Sequence, residues 1–207
     1  MYCVSLGRGL SELLYQKTQF YASVINNTDI TFTDEEMTLL NKGPKYNLSC
    51  KNPTTPVIRG LVKFHKEDFP IRPIVNWKNA PAYKLARSLV EKIQTHIPLL
   101  YAFNIKNTTQ LINDLKDIPF EQSLRLASFD ISNMYMNIPT GELLMIIKSA
   151  CESNTVKDGL KHNIIKLVKV ITDRNYFQFL GQTYIQHEGL AMGAPTSCIL
   201  SELYLQN

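Results

Sequence analysis

Residues 176–180 and 183–186 are rich in aromatic and β-branched side chains, and only Gly181 and Gln182 stand between them. A connection of two residues joins antiparallel strands, because parallel strands need a crossover of a dozen residues or more. This turn commits part of the chain to an antiparallel sheet. A second strand pair is predicted over residues 57–75, interrupted by the polar turn 65–68 and by Pro70. Helical patterns surround these pairs. Pro81 opens one, with Leu85, Leu89, Ile93 and Ile97 on a single face. A second is predicted over 108–116, with Leu111, Ile112 and Leu115 inward. Residues 124–130 read as a short strand ending on Asp130. Pro139 and Thr140 start a helix carrying Leu143, Leu144, Ile146, Ile147 and Ala150. Further helices are predicted over 160–172 and 197–205. The mixed order gives an α+β fold, with helices packed on an antiparallel sheet.

Towards the N-terminus the signals weaken. Residues 11–25 read as a helix of poor pattern. Thr33 and Glu36 form a capping box ahead of Met37, Leu39 and Leu40, and Asn41 and Gly43 supply the stop. Residues 47–56 read as a loop. The chain of 207 residues is 44% hydrophobic, with aromatic residues throughout, which argues against disorder for its bulk. No apolar run approaches the roughly 18 residues that cross a bilayer. The first ten residues lack the apolar block of a signal peptide. The expectation is an intracellular protein, nuclear or cytoplasmic and not secreted, with no membrane partner. Cys3, Cys50, Cys151 and Cys198 lie too far apart for a disulfide framework or a zinc site, and are expected as free thiols.

The net charge of +4 is unevenly spread. Arg59, Lys63, Lys66, Arg72, Lys78, Lys84, Arg87 and Lys92 fall within 34 residues, against only Glu67, Asp68 and Glu91. Such a stretch suits phosphate binding, and equally suits a solvated lysine-rich face. Asp130, at the end of a strand, is either a turn former or a metal ligand. Two-metal nucleotidyl transfer needs carboxylates that bridge a pair of Mg²⁺ ions, and a carboxylate on a rigid strand end suits that work. Gly189 and Gly193, followed by Pro195 and Ser197 and then a helix, make a loop whose backbone can approach a ligand closely.

Taken in order, these elements resemble the fingers and palm motifs of reverse transcriptases, and most closely those of Penelope-like retroelements. The resemblance rests on Val62 to Lys66 (VKFHK), Arg72 to Val75 (RPIV), Ala80 to Ala86 (APAYKLA), Ser128 to Pro139 (SFDISNMYMNIP) and Gly189 to Gln206 (GLAMGAPTSCILSELYLQ). Glu36 to Tyr46 (EMTLLNKGPKY) resembles a further upstream block of that family. It implies an N-terminal extension over 1–32, a fingers-like region over 33–123 and a partial palm over 124–207. By the same resemblance Asp130 binds both Mg²⁺ ions, helped by the carbonyl of Ile131. Tyr135 screens the sugar 2′-position of the incoming nucleotide, while Lys63 and Arg72 neutralise its triphosphate. Gly189, Gly193, Pro195 and Ser197 form the loop under the templating pair, and Lys66, Lys78, Lys84 and Arg87 follow the nucleic-acid backbone. The implied partners are an RNA template, a DNA primer and deoxynucleoside triphosphates.

One departure from the family pattern is decisive. Reverse transcriptases carry a Tyr/Phe-x-Asp-Asp hairpin after the glycine-loop helix, and these 207 residues contain no Asp-Asp pair. A thumb and the GIY-YIG endonuclease domain of many such elements are also missing from this sequence. The expectation is a fragment or decayed copy of an RNA-directed DNA polymerase, inactive as an isolated chain. The rival expectation is a catalytically dead remnant that binds nucleic acid.

Overall fold

The computed structural model describes residues 22–25, 53–64, 66, 69–99, 105, 107–119, 123, 125 and 127–207. Within them lie strands β1 (Ala22–Ile25), β2 (Val57–Val62) and β3 (Ile71–Asn76), then helices α1 (Tyr83–His96) and α2 (Thr108–Lys116). A short 3₁₀ turn (Met134–Asn137) precedes α3 (Thr140–Ser153) and α4 (Asp158–Asp173). Strands β4 (Tyr176–Phe179) and β5 (Gln182–Gln186) and helix α5 (Ser197–Leu205) follow. The strands form one sheet in the order β1-β5-β4-β2-β3. Every pairing is antiparallel except β2 with β4, a parallel contact at Val57 and Gln178. The chain is thus α+β with a mixed sheet.

Strand β3 is an edge, and its sequence shows why it remains one. Pro73 cannot donate to a ladder, so it belongs where a missing N–H costs nothing. Two residues on, the Val75 N–H leaves the sheet and donates to the Met192 carbonyl at 2.8 Å. Pro73 shares that outward orientation by the period of two. The loop 189–197 therefore covers the edge that β3 would otherwise expose.

Four helices were legible as amphipathic stripes and bury those stripes. Helix α1 seats Leu85, Ala86, Leu89 and Ile93, with Ile97 buried just beyond its end. Its first turn begins at Tyr83, two residues after Pro81. Helix α3 contributes Leu143, Ile146, Ile147 and Cys151, and α4 contributes Ile164, Leu167, Val168 and Ile171. With Phe177, Tyr184, Leu200 and Leu203 they make one continuous core. Burial of a leucine-sized side chain stabilises the fold by about 1.5–3 kcal/mol.

Five expectations are corrected, the first being the all-antiparallel sheet, since β2 and β4 run parallel. The strand predicted over 124–130 is irregular at its described residues, because an extended segment becomes a strand only with a ladder partner, and none is present among the described residues. Helix α2 is capped by Asn107, whose Oδ1 accepts from the Gln110 N–H at 2.9 Å. Yet Leu111, Ile112 and Leu115 are exposed, with no described element packed on them. The hairpin turn sits one residue earlier than expected. Phe179 pairs with Gln182, so Leu180 and Gly181 form the loop, at φ 48° and 80°. Positive φ at both positions is the type I′ geometry whose twist matches the flanking strands. Finally, Ala22–Ile25 is a strand paired with β5, where a helix was expected over 11–25. The rest of that stretch, the capping-box helix at Thr33, residues 47–52 and the turn residues His65, Glu67 and Asp68 lie outside the described residues.

Candidate functional site

Asp130 follows Phe129 on the irregular segment before the 3₁₀ turn, and its side chain is 88% exposed. Lys66 Nζ lies 3.9 Å from Asp130 Oδ2, which brings the tip of the β2–β3 hairpin over the carboxylate. An exposed pair at that distance is worth no more than about 1 kcal/mol. The contact indicates location rather than stability. Asn133, at φ 52°, turns the chain, and its carbonyl accepts from the N–H groups of Met136 and Asn137. Asn137 Nδ2 donates to the Ser132 carbonyl at 3.2 Å. This compact turn carries Tyr135 towards α5.

Tyr135 is half-buried, and its hydroxyl lies 3.5 Å from Cys198 Sγ. That hydrogen bond raises the phenol above its ordinary pKa, and burial and the thiol's charge add to the effect. Ser201 and the positive charge of Arg72 act in the opposite direction. The Arg72 charge therefore reaches Tyr135 from β3, and Lys66 reaches Asp130 from the same hairpin. Strand β3 presents Arg72 on its exposed face, opposite Leu61 and two positions from Ile74, while Ile71, Pro73 and Val75 face the core. Lys63, just past β2, is partly buried and its backbone N–H donates to the Pro70 carbonyl at 3.0 Å.

The glycine loop is fitted between these two elements. The Leu190 N–H donates to the Tyr135 carbonyl at 2.6 Å, and the Val75 N–H donates to Met192. Gly189 adopts φ 77°, and a Cβ there would lie 2.5 Å from the Met136 carbonyl oxygen. Gly193 adopts φ 120°, and a Cβ there would overlap the carbonyl oxygen of Val75. Both positions require glycine for their backbone conformation and for close approach. Ser197 Oγ donates to the Ala191 carbonyl at 2.6 Å. Its hydroxyl is spent inside the loop, so Ser197 holds the loop together and offers nothing to a ligand. Pro195 is partly buried, at the shoulder before α5.

An open groove of about 480 Å³ runs beside this loop. Arg59, Asn76, Lys78, Tyr83 and Gly193 line it, over a floor that includes Ile74 and Trp77. Two cations, an aromatic ring and a glycine backbone along one groove suit a phosphate-bearing strand with bases that stack. Lys78 and Gly193 were expected in such a surface. Arg59 was already counted in the basic stretch suited to phosphate, whereas Tyr83 was not singled out for it and joins the surface only through the fold. Lys84 and Arg87 lie on α1, partly buried and exposed respectively.

A magnesium pair needs carboxylates from more than one segment. Among the described residues no group of three His, Cys, Asp or Glu side chains gathers at one place. Asp130 by itself does not make such a set. The described cysteines, Cys151 and Cys198, are free thiols, and burial raises the pKa of Cys151. No helix among the described residues is long and apolar enough to cross a membrane. No protein-family model and no curated protein matches the chain.

Proposed function

We propose that this chain is the fingers and partial palm of an RNA-directed DNA polymerase of the Penelope-like kind. One observation carries the reading. Motif residues 55 to 117 positions apart in sequence converge, with Lys66 at Asp130, Arg72 near Tyr135, and the glycine loop bonded to both β3 and the Tyr135 turn. That convergence gives each motif residue a physical task. The Arg72 guanidinium and the Lys63 and Lys66 ammonium groups offset the charge of a triphosphate laid across the hairpin. The Tyr135 ring, fixed by Cys198, limits the space beside the nucleotide sugar. The tight 189–197 backbone supports the templating pair, and the groove beside it takes the template strand, with Arg59, Lys78 and Tyr83 as its contacts. In the complete enzyme Asp130 and the Ile131 carbonyl help hold Mg²⁺, with the remaining carboxylates coming from outside these 207 residues.

A second reading is favoured by the absence, among the described residues, of any group of three metal-ligating side chains. On its own this chain is a nucleic-acid-binding module without polymerase activity. Binding is common to both readings and is tested first. An RNA–DNA primer–template should bind with affinity that falls steeply as salt rises, because each phosphate contact releases condensed counterions. Arg59→Ala and Lys78→Ala should each flatten the log–log salt slope by roughly one unit or less. Binding that ignores salt, or slopes unchanged by both substitutions, sinks the groove assignment.

A further inference from the structure

We infer that a single buried water molecule bridges Trp77 Nε1–H and Asn175 Oδ1 and pins the 189–197 loop from beneath. Trp77 follows β3 and Asn175 precedes β4, and they are 3% and 2% exposed. Trp77 Nε1 and Asn175 Oδ1 are both buried, and neither has a hydrogen-bond partner among the described residues. Indole nitrogen is a donor only, and the amide oxygen is an acceptor. The two are complementary, and an orphaned group of either kind is expensive to bury. Both residues line the same small cavity, of about 10 Å³. That is the space a single water centre needs, and water enters such a space when polar partners await it. Six residues of the glycine loop, Gly189, Leu190, Ala191, Ala194, Thr196 and Ser197, complete its lining together with Ile171 and Thr172 of α4.

The backbones of both anchors are held in place. The Trp77 carbonyl accepts from the Ala80 N–H at 2.9 Å, and the Asn175 carbonyl accepts from the Gln186 N–H at 2.8 Å. Their side chains thus reach the cavity from two fixed backbone points, one after β3 and one before β4. A water between them joins the turn after β3 to the turn before β4, directly under the loop that covers β3. It is a structural ligand, independent of what the groove above binds.

The chain has one tryptophan, so its indole N–H gives a single unmistakable proton resonance. In the full 207-residue protein that proton should show a direct magnetisation-transfer peak to a long-lived water. Asn175→Leu should remove the peak while leaving the rest of the amide spectrum in place. Absence of the peak in the unmodified chain, or its survival in a folded Asn175→Leu variant, overturns the inference. Should that variant fail to fold, a high-resolution crystal structure of the unmodified chain decides. A water oxygen about 2.7–3.2 Å from both atoms supports the bridge. A direct bond from Nε1 to Oδ1, or a cavity with no water density, overturns it.

Discussion

At the scale of single residues, the site is defined by what backbone and side chain can physically tolerate. Gly189 and Gly193 were expected to let the loop approach a ligand closely, and what they press against is the protein's own backbone at Met136 and Val75. Tyr135 was legible as a position but not as an interaction. Its partner Cys198 lies 63 residues away, and nothing in the pattern of either segment points to the other. The pairing makes a prediction about pH. Tyr135 and Tyr176 keep their protons above the ordinary phenol range, Tyr135 through Cys198 and Tyr176 through burial. A folded state that holds a proton the unfolded chain releases loses stability as pH rises. Resistance to urea should therefore hold below about pH 10, the unfolded phenol value, and fall as pH climbs through the folded values. Tyr135→Phe should make that decline shallower in unfolding titrations run between neutral and strongly alkaline pH. A decline identical to that of the unmodified chain contradicts the tyrosine–thiol assignment.

At the scale of elements, the hydrophobic pattern identified α1, α3, α4 and α5 because each buries apolar side chains in the shared core. It failed in two instructive places. Residues 124–130 have the composition of a strand, but a strand is a relation between two segments, and Phe129 is 94% exposed where no partner lies among the described residues. The four-residue β1 is the converse, too short to announce itself and defined by its pairing with β5. Helix α2 was legible as a helix through its Asn107 cap and its spacing. Its inward face was not, since no described element packs on Leu111, Ile112 and Leu115. The contrast with α1 can be measured. Leu89→Ala, in a fully buried position, should cost about 2–5 kcal/mol in denaturant unfolding. Ile112→Glu, on the exposed face of α2, should stay within about 0.5 kcal/mol of the unmodified chain. Comparable losses at the two positions would mean that the α2 face is covered in solution.

At the scale of the whole molecule, the mixed sheet and the loop over the β3 edge bring Lys66 to Asp130 and Arg72 near Tyr135, and bond the glycine loop to β3 and to the Tyr135 turn. How the groove forms was beyond the sequence, because Arg59, Lys78, Tyr83 and Gly193 meet only through the β2–β3 register and the packing of the loop. The central claim is that Asp130 belongs to a nucleotidyl-transfer site that other carboxylates must complete. Primer extension tests it most directly, comparing the 207-residue chain with the same chain fused to the Tyr-x-Asp-Asp hairpin and thumb of a related polymerase. The short chain should add no nucleotide with Mg²⁺ or Mn²⁺, and the fusion should extend the primer. Asp130→Ala in the fusion should lower that rate by at least about 10²- to 10³-fold, the usual cost of removing a key active-site group. Extension by the short chain that persists after Asp130→Ala, or a fusion indifferent to that substitution, would contradict the placement of the active site.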